Sequence, residues 1–133
     1  MKVLGLDLGR KRIGVALGDT DNKIAIGLPT LKNDSIIWKN LKEIIDKENI
    51  KKLIIGLPKT IGGKHGEQAD YTCQWGKKAI TILGLTIEYI DERLSSKMAR
   101  DSLATVGNSL TKENIDQASA VLILYSYLDK QKN

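Results

Sequence analysis

The order of strand-like and helix-like patterns along the chain constrains its fold more than any single residue does. Three apolar strands are predicted first, at 2–9, 12–18 and 23–31. Helix patterns then alternate with two further strands, at 51–58 and 85–91. The predicted helices span 35–48, 65–83, 94–105 and 112–129. A three-stranded meander followed by alternating strands and helices predicts a mixed sheet with helices on its faces.

This element order is that of the ribonuclease H-like fold. We therefore predict an α/β chain with a mixed five-stranded sheet, in which a three-stranded antiparallel meander is joined by two parallel strands and helices cover both faces. The 133 residues are enough for one domain with a sizeable core, so we expect a single domain over 1–133. Because the chain has no Phe, Ile, Leu, Val and Ala must build most of that core.

Charge and cysteine content limit the functions open to the chain. Lys and Arg number 21 against 16 acidic residues, and a net charge of +5 permits a nucleic-acid partner without requiring one. The single cysteine, Cys73, excludes a disulfide framework and a cysteine-rich zinc site. The opening MKVLGLDLG has no signal-peptide pattern, and no apolar run reaches the length of a membrane span. We expect a soluble cytoplasmic protein with no membrane partner.

The first strand carries an acidic residue where an apolar one is expected. Asp7 lies within GLDLGRKRIGVALGD, which runs from Gly5 to Asp19. Burying a carboxylate without compensation costs several kcal/mol. Either backbone amides of a turn satisfy Asp7, or it binds a metal ion.

Two other acidic positions can join Asp7 in the predicted sheet. Asp91 and Glu92 end the last strand, and Asp116 opens the strongly apolar helix ENIDQASAVLILYSYL. Such a helix must lie against the sheet, so acids from distant parts of the sequence can converge near one sheet end. Converging carboxylates repel one another unless a cation lies between them. Oxygen ligands suit Mg²⁺ or Mn²⁺, and a pair of such ions about 4 Å apart supports phosphodiester hydrolysis.

Four segments resemble, in order, the motif blocks of the YqgF family. They are GLDLGRKRIGVALGD, IIGLPKTIGGKHGEQA, DERLSSKMA and IDQASAVLILYSYLD, and together they extend over nearly the whole chain. The family comprises bacterial proteins described as Holliday junction resolvases and as pre-16S ribosomal RNA nucleases. The resemblance implies a ribonuclease H-like, divalent-metal nuclease that matures the 5′ end of 16S rRNA. Its catalytic and metal-binding acids fall on Asp7, Glu92 and Asp116, with Asp91 as the alternative to Glu92.

Basic residues near these acids are candidates for phosphate binding. Arg10 and Lys11 lie in the predicted turn after the first strand and Arg12 begins the second, so all three are close to Asp7. Lys59 and Lys64 belong to the glycine-rich loop KTIGGKHG, whose backbone amides precede a helix and suit a phosphate group. Arg93 follows Glu92 directly. Each of these could instead be a solvated surface residue, and Trp38 and Trp75 are predicted to pack within their helices.

Other functions remain open at this point. A Holliday junction resolvase that cleaves four-way DNA would use the same acids and ions. A non-catalytic nucleic-acid-binding factor in ribosome assembly would keep the fold without the reaction. An ATP-binding domain of the actin, sugar-kinase and Hsp70 type shares a similar first hairpin, but it needs two such domains. The sequence leaves open whether the protein is a monomer or a homodimer.

Overall fold

The computed structural model describes residues 1–58, 66–91 and 111–130. The strands are β1 (Lys2–Leu8), β2 (Arg12–Asp19), β3 (Ile24–Lys32), β4 (Ile50–Leu57) and β5 (Thr86–Asp91). The helices are α1 (Ile37–Glu48), α2 (Glu67–Leu83) and α3 (Lys112–Lys130). The short helix predicted at 94–105 lies outside the described residues. None of the three described helices is long and apolar enough to cross a bilayer.

The five strands form one mixed sheet in the order β3-β2-β1-β4-β5. β1 pairs antiparallel with β2, and β2 pairs antiparallel with β3. β4 lies parallel to β1, and β5 lies parallel to β4. The predicted meander with two parallel strands is therefore confirmed. β1 is the central strand, and the carboxyl ends of β1, β4 and β5 meet at one edge of the sheet, which we call the carboxyl edge.

The side chains of β1 alternate between two cores, one on each face of the sheet. Leu4, Leu6 and Leu8 pack with residues of α1 and α2. Val3 packs with residues of α3, and Gly5 lies directly under Leu124 of that helix. Because strand side chains alternate with a period of two, Asp7 lies on the α3 face with Val3 and Gly5. Helices on both faces of the sheet confirm the predicted layering.

Small residues let α3 approach the sheet closely. A Cβ at Gly14 would overlap the main-chain carbonyl oxygen of Asp116, and one at Gly27 would overlap the side chain of Gln117. Gln117 donates from Nε2 to the carbonyl oxygen of Leu28 at 2.8 Å. These contacts hold the first turns of α3 against β2 and β3, and so determine where Asp116 lies.

The third strand agrees with the sequence prediction, whereas the start of the first helix differs from it in detail. Pro29 in the third strand indicates an edge strand or a strand end, and β3 is indeed the edge strand, with its pairing to β2 shifted between Ile13 and Val15. An irregular edge strand tolerates a residue that has no N–H group. α1 begins at Ile37 rather than 35, because the carboxylate of Asp34 accepts a hydrogen bond from the backbone N–H of Ile36 in a preceding turn. Asp34 therefore orders this turn and does not cap α1 by a side-chain hydrogen bond.

Candidate active site

Asp7 lies near the end of the central strand, beside the start of α3. It pairs with Gly14 of β2, and the carbonyl oxygen of Asp116 lies directly over Gly14. Asp7 is neither fully buried nor fully exposed. The acidic residue within the apolar strand therefore lies at the border of the core, beside the start of α3, rather than at its centre.

Asp116 of α3 is the second acid on this face. Its side chain is 25% exposed. Burial raises the pKa of the Asp116 carboxyl above its ordinary value, and the carboxylate of Asp7 raises it further. The structure thus brings two of the predicted site acids close enough for their charges to interact. Such repulsion is the electrostatic condition that a bound cation relieves.

Arg12 is the positive charge beside Asp116. Its Nε lies 3.4 Å from Oδ2 of Asp116, in a long hydrogen bond that is also an ion pair. This hydrogen bond and the guanidinium charge lower the pKa of Asp116, against the effects of burial and Asp7. Arg12 begins β2 immediately after the turn that Gly9 closes by donating its N–H to the Arg12 carbonyl at 2.9 Å. The turn thereby holds Arg12 at the start of β2, next to Asp116.

Asp91 lies on the opposite face of the sheet from Asp7. It pairs with Leu57 of β4. Its neighbour Ile90 packs in the α3 core, whereas Tyr89 packs in the core of α1 and α2. Strand alternation therefore places Asp91 on the α1 and α2 face. The described geometry gives no support to Asp91 as the alternative metal ligand.

Four predicted site residues, Glu92, Arg93, Lys59 and Lys64, lie outside the described residues. The third acid therefore stays a prediction. Among residues 1–58, 66–91 and 111–130, no three His, Cys, Asp or Glu side chains form a group that could hold a metal ion. The described part of the site supplies two carboxylates. Mg²⁺ is commonly bound by one or two protein carboxylates with several waters, so this donor set fits a hard divalent cation.

A basic groove runs along the β1–β2 turn beside these acids. Its volume is about 490 Å³, and its charged lining consists of four basic side chains, Arg10, Lys11, Arg12 and Lys32, against two acidic ones, Asp34 and Glu113. Thr30 at its floor donates to the carbonyl oxygen of Glu113 at 3.0 Å, which joins β3 to the start of α3. The three predicted basic residues therefore line one groove with more basic than acidic side chains, and Arg12 connects this groove to Asp116.

Two polar residues that the sequence analysis did not single out brace this edge of the sheet. Gln68 of α2 donates from Nε2 to the carbonyl oxygen of Leu8 at 3.0 Å, next to Asp7. Asn33 donates from Nδ2 to the carbonyl oxygen of Gly9 and to the hydroxyl of Tyr71, both at 2.8 Å. Gln68 lies within the quoted segment IIGLPKTIGGKHGEQA, which is the one sequence signal that could have drawn attention to it. Asn33 lies in none of the four quoted segments.

The sequence of this chain matches a family model and named proteins from other organisms. A family model described as "RuvX: Holliday junction resolvase" matches residues 1–130. A protein of Caldanaerobacter subterraneus subsp. tengcongensis named "Putative pre-16S rRNA nuclease" is 38% identical over 138 aligned residues, which cover 100% of this chain and 99% of the relative. A protein of Thermosynechococcus vestitus with the same name is 41% identical over 133 residues, covering 97% and 88%.

A solved structure with a similar fold is that of T. thermophilus RuvC in complex with a Holliday junction substrate. It superposes with a TM-score of 0.60 over 98% of this chain and 96% of the other, at 13% sequence identity. At that identity the similarity concerns the fold alone. It confirms the ribonuclease H-like fold class that the element order predicts.

Proposed function

This chain belongs to the RuvX family of Holliday junction resolvases, the YqgF family that its motifs resemble, and is a nuclease; on that premise we propose that it matures precursor 16S ribosomal RNA with a divalent metal ion. The observation that carries the proposal is the meeting of Asp7 and Asp116 on one face of the carboxyl edge, beside Arg12. The names of the relatives point to the RNA substrate. We take 1–133 as one catalytic domain acting in the cytoplasm.

The acids proposed to bind the metal are Asp7, Asp116 and Glu92. The two described carboxylates come from the central strand and from a helix whose backbone is packed closely against the sheet, so the fold keeps the two residues near each other despite their repulsion. The position of Asp91 on the other face supports Glu92 as the third ligand. Mg²⁺ or Mn²⁺ bound there would activate a water for attack on the phosphodiester and stabilise the leaving oxygen.

The surrounding residues prepare the site for a nucleic acid. Arg12 favours the ionised form of Asp116, because its hydrogen bond and charge lower the pKa of that carboxyl. Arg10, Lys11 and Lys32 line the basic groove, where they would replace the cations condensed on the backbone phosphates of the nucleic acid. Lys59, Lys64 and Arg93 are proposed to add further phosphate contacts.

The decisive experiment compares wild type with Asp7→Asn on three labelled substrates. These are precursor rRNA 5′ ends, four-way DNA junctions and short single strands, each with Mg²⁺, Mn²⁺ or chelator. We expect metal-dependent cleavage of the rRNA end by wild type and none by Asp7→Asn, with binding preserved. Asp91→Asn is the matched control, since it removes a carboxylate at the same edge but on the other face, and should keep activity. Preferred cleavage of the junction would instead make the protein a four-way DNA resolvase.

Thermal stability separates a metal ligand from a structural Asp7. If Asp7 is a ligand, the metal-free Asp7→Asn protein should melt at the wild-type temperature or higher, because one repulsive charge is gone. Saturating Mg²⁺ should then stabilise wild type, by about 2.7 kcal/mol at a hundredfold excess over the dissociation constant, and stabilise the variant less. A variant that loses about 1–2 kcal/mol regardless of metal, yet still cleaves, would make Asp7 a structural residue.

A further inference from the structure

A second cavity lies next to the basic groove, on the α1 and α2 face of the sheet. We call it the aromatic pocket. Its volume is about 230 Å³, and its aromatic residues are Trp38, Tyr71 and Trp75. Gln74 and Lys78 contribute polar groups to the lining. This volume is smaller than the roughly 300–1,000 Å³ of pockets that enclose drug-sized ligands. The space suits a flat group about as large as one nucleobase.

The aromatic rings of this pocket are held in fixed positions. Trp38 and Trp75 stack with their ring centroids 4.8 Å apart and their planes 25° from parallel. Trp75 is buried in the core, as the sequence predicted, and Trp38 packs partly buried against it. The hydroxyl of Tyr71 accepts a hydrogen bond from Asn33, and Arg10 lies 4.5 Å from its ring centroid. A planar ligand would therefore meet a preformed aromatic surface.

The aromatic pocket and the basic groove are parts of one continuous surface. Asn33 and Asp34 line both of them, and Arg10 lines the groove while its guanidinium lies over Tyr71 of the pocket. The groove reaches Arg12 and Glu113, next to Asp116. A strand bound along it would pass from the acids, around the carboxyl edge, to the aromatic rings on the other face.

We propose that the aromatic pocket binds one unpaired base of the substrate strand, while the basic groove holds the phosphates between that base and the acids. The inference rests on the proposed nuclease function and narrows its substrate to strands with an unpaired nucleotide near the cleaved bond. Aromatic and Arg side chains beside a positive groove are the combination that binds single strands. A base inside a duplex could enter only after being unstacked and unpaired, which costs a few kcal/mol.

Intrinsic fluorescence tests the pocket directly. The chain has two tryptophans, Trp38 and Trp75, and both line the aromatic pocket, so all tryptophan emission reports on this site. Wild-type protein in chelator, which prevents cleavage, is titrated with short single-stranded RNA and DNA. We expect emission to change on binding of a single strand with either sugar. Binding of a blunt duplex of the same sequence should leave the emission unchanged.

An abasic scan tests whether a base is what the pocket binds. One base at a time is removed from the oligonucleotide, and the affinity of wild type is measured. Stacking of one base is worth about 1–3 kcal/mol, so one abasic position should weaken binding roughly 5- to 150-fold and abolish the emission change. Tyr71→Leu should remove this penalty, whereas Tyr71→Phe keeps the ring and should retain it. Tyr125→Leu, on an exposed tyrosine of α3 outside the pocket, is the control.

The proposal is overturned if no abasic position matters with either RNA or DNA. It is also overturned if Tyr71→Leu weakens intact and abasic strands equally, or weakens a fully paired junction as much as a single strand. The scan with wild type needs no variant, so it decides the question even if Tyr71→Leu fails to fold. These assays measure binding without metal. Failure of the nuclease proposal would appear separately, as absence of cleavage by wild type.

Discussion

Adding one methyl group at Gly14 should separate the two acids of the site. Gly14 pairs with Asp7 across the β1–β2 ladder, on the face that α3 covers. A Cβ there would overlap the main-chain carbonyl oxygen of Asp116. Because the obstacle is helix backbone rather than a flexible side chain, Gly14→Ala must push the start of α3 away from the sheet. Asp116 would move with it, away from Asp7.

The expected cost follows from two opposing effects. Overpacking of this kind destabilises by about 1–3 kcal/mol, and a clash with backbone belongs at the upper end. Replacing a strand glycine by alanine returns about 0.5–1 kcal/mol of conformational entropy. The free energy of unfolding should therefore fall by about 2 kcal/mol, which lowers the melting temperature by roughly 8 °C.

Gly18→Ala is the matched control for this substitution. It makes the same change in the same strand and on the same face. The new Cβ would meet side-chain methyl groups, Leu124 Cδ1 at 3.0 Å and Val3 Cγ2 at 3.2 Å, which can shift by a few tenths of an ångström. The free energy of unfolding of Gly18→Ala should stay within about 1 kcal/mol of wild type.

Urea unfolding and cleavage of the preferred substrate, both measured well below the melting temperature, check this prediction. We expect Gly14→Ala to lose stability and most of its cleavage rate, while oligonucleotide affinity, which we propose to depend on the basic groove, changes little. Gly18→Ala should retain both stability and rate. A Gly14→Ala protein with wild-type stability and cleavage would refute the inferred tight contact between β2 and α3.

Two further predictions concern the charges of the site. Arg12→Ala should reduce the slope of log affinity against log salt for single-strand binding by about 0.7, because one phosphate contact is lost. Lys42→Ala on α1 is the control and should leave that slope unchanged. Equal slopes for wild type and both variants would mean that the phosphates bind elsewhere on the protein. Burial, and then Asp7, raise the pKa of Asp116, so the folded protein binds this proton more tightly than the unfolded chain does. The free energy of unfolding therefore falls as pH rises through the interval between the ordinary and the raised pKa. Asp116→Asn should flatten that fall when urea unfolding is measured at a series of pH values from acid to neutral, and an unaltered pH dependence would contradict the raised pKa.

Local sequence patterns were sufficient to predict most elements of the fold. Period-two alternation and helical spacing are properties of neighbouring residues, so they remain legible without tertiary structure. The last helix, predicted at 112–129, is α3 at Lys112–Lys130. The element order in turn predicted the mixed five-stranded sheet, and the motif blocks predicted the family. The start of α1 was misplaced, because a side-chain hydrogen bond of Asp34 decides it.

Which acids meet was decided only by the tertiary structure. LTIEYID has polar residues on both sides of the strand, so its pattern does not say which side faces α3. Pairing with β4 settles this and places Asp91 on the other face from Asp7. The contacts of Arg10 with Tyr71 and of Asn33 with Gly9 join residues far apart in sequence. The sequence by itself determined the elements, their order and the candidate acids, because these depend on local patterns and motifs. Which side of a strand faces α3, and how the basic groove continues into the aromatic pocket, depend on long-range packing. No local pattern encodes that packing.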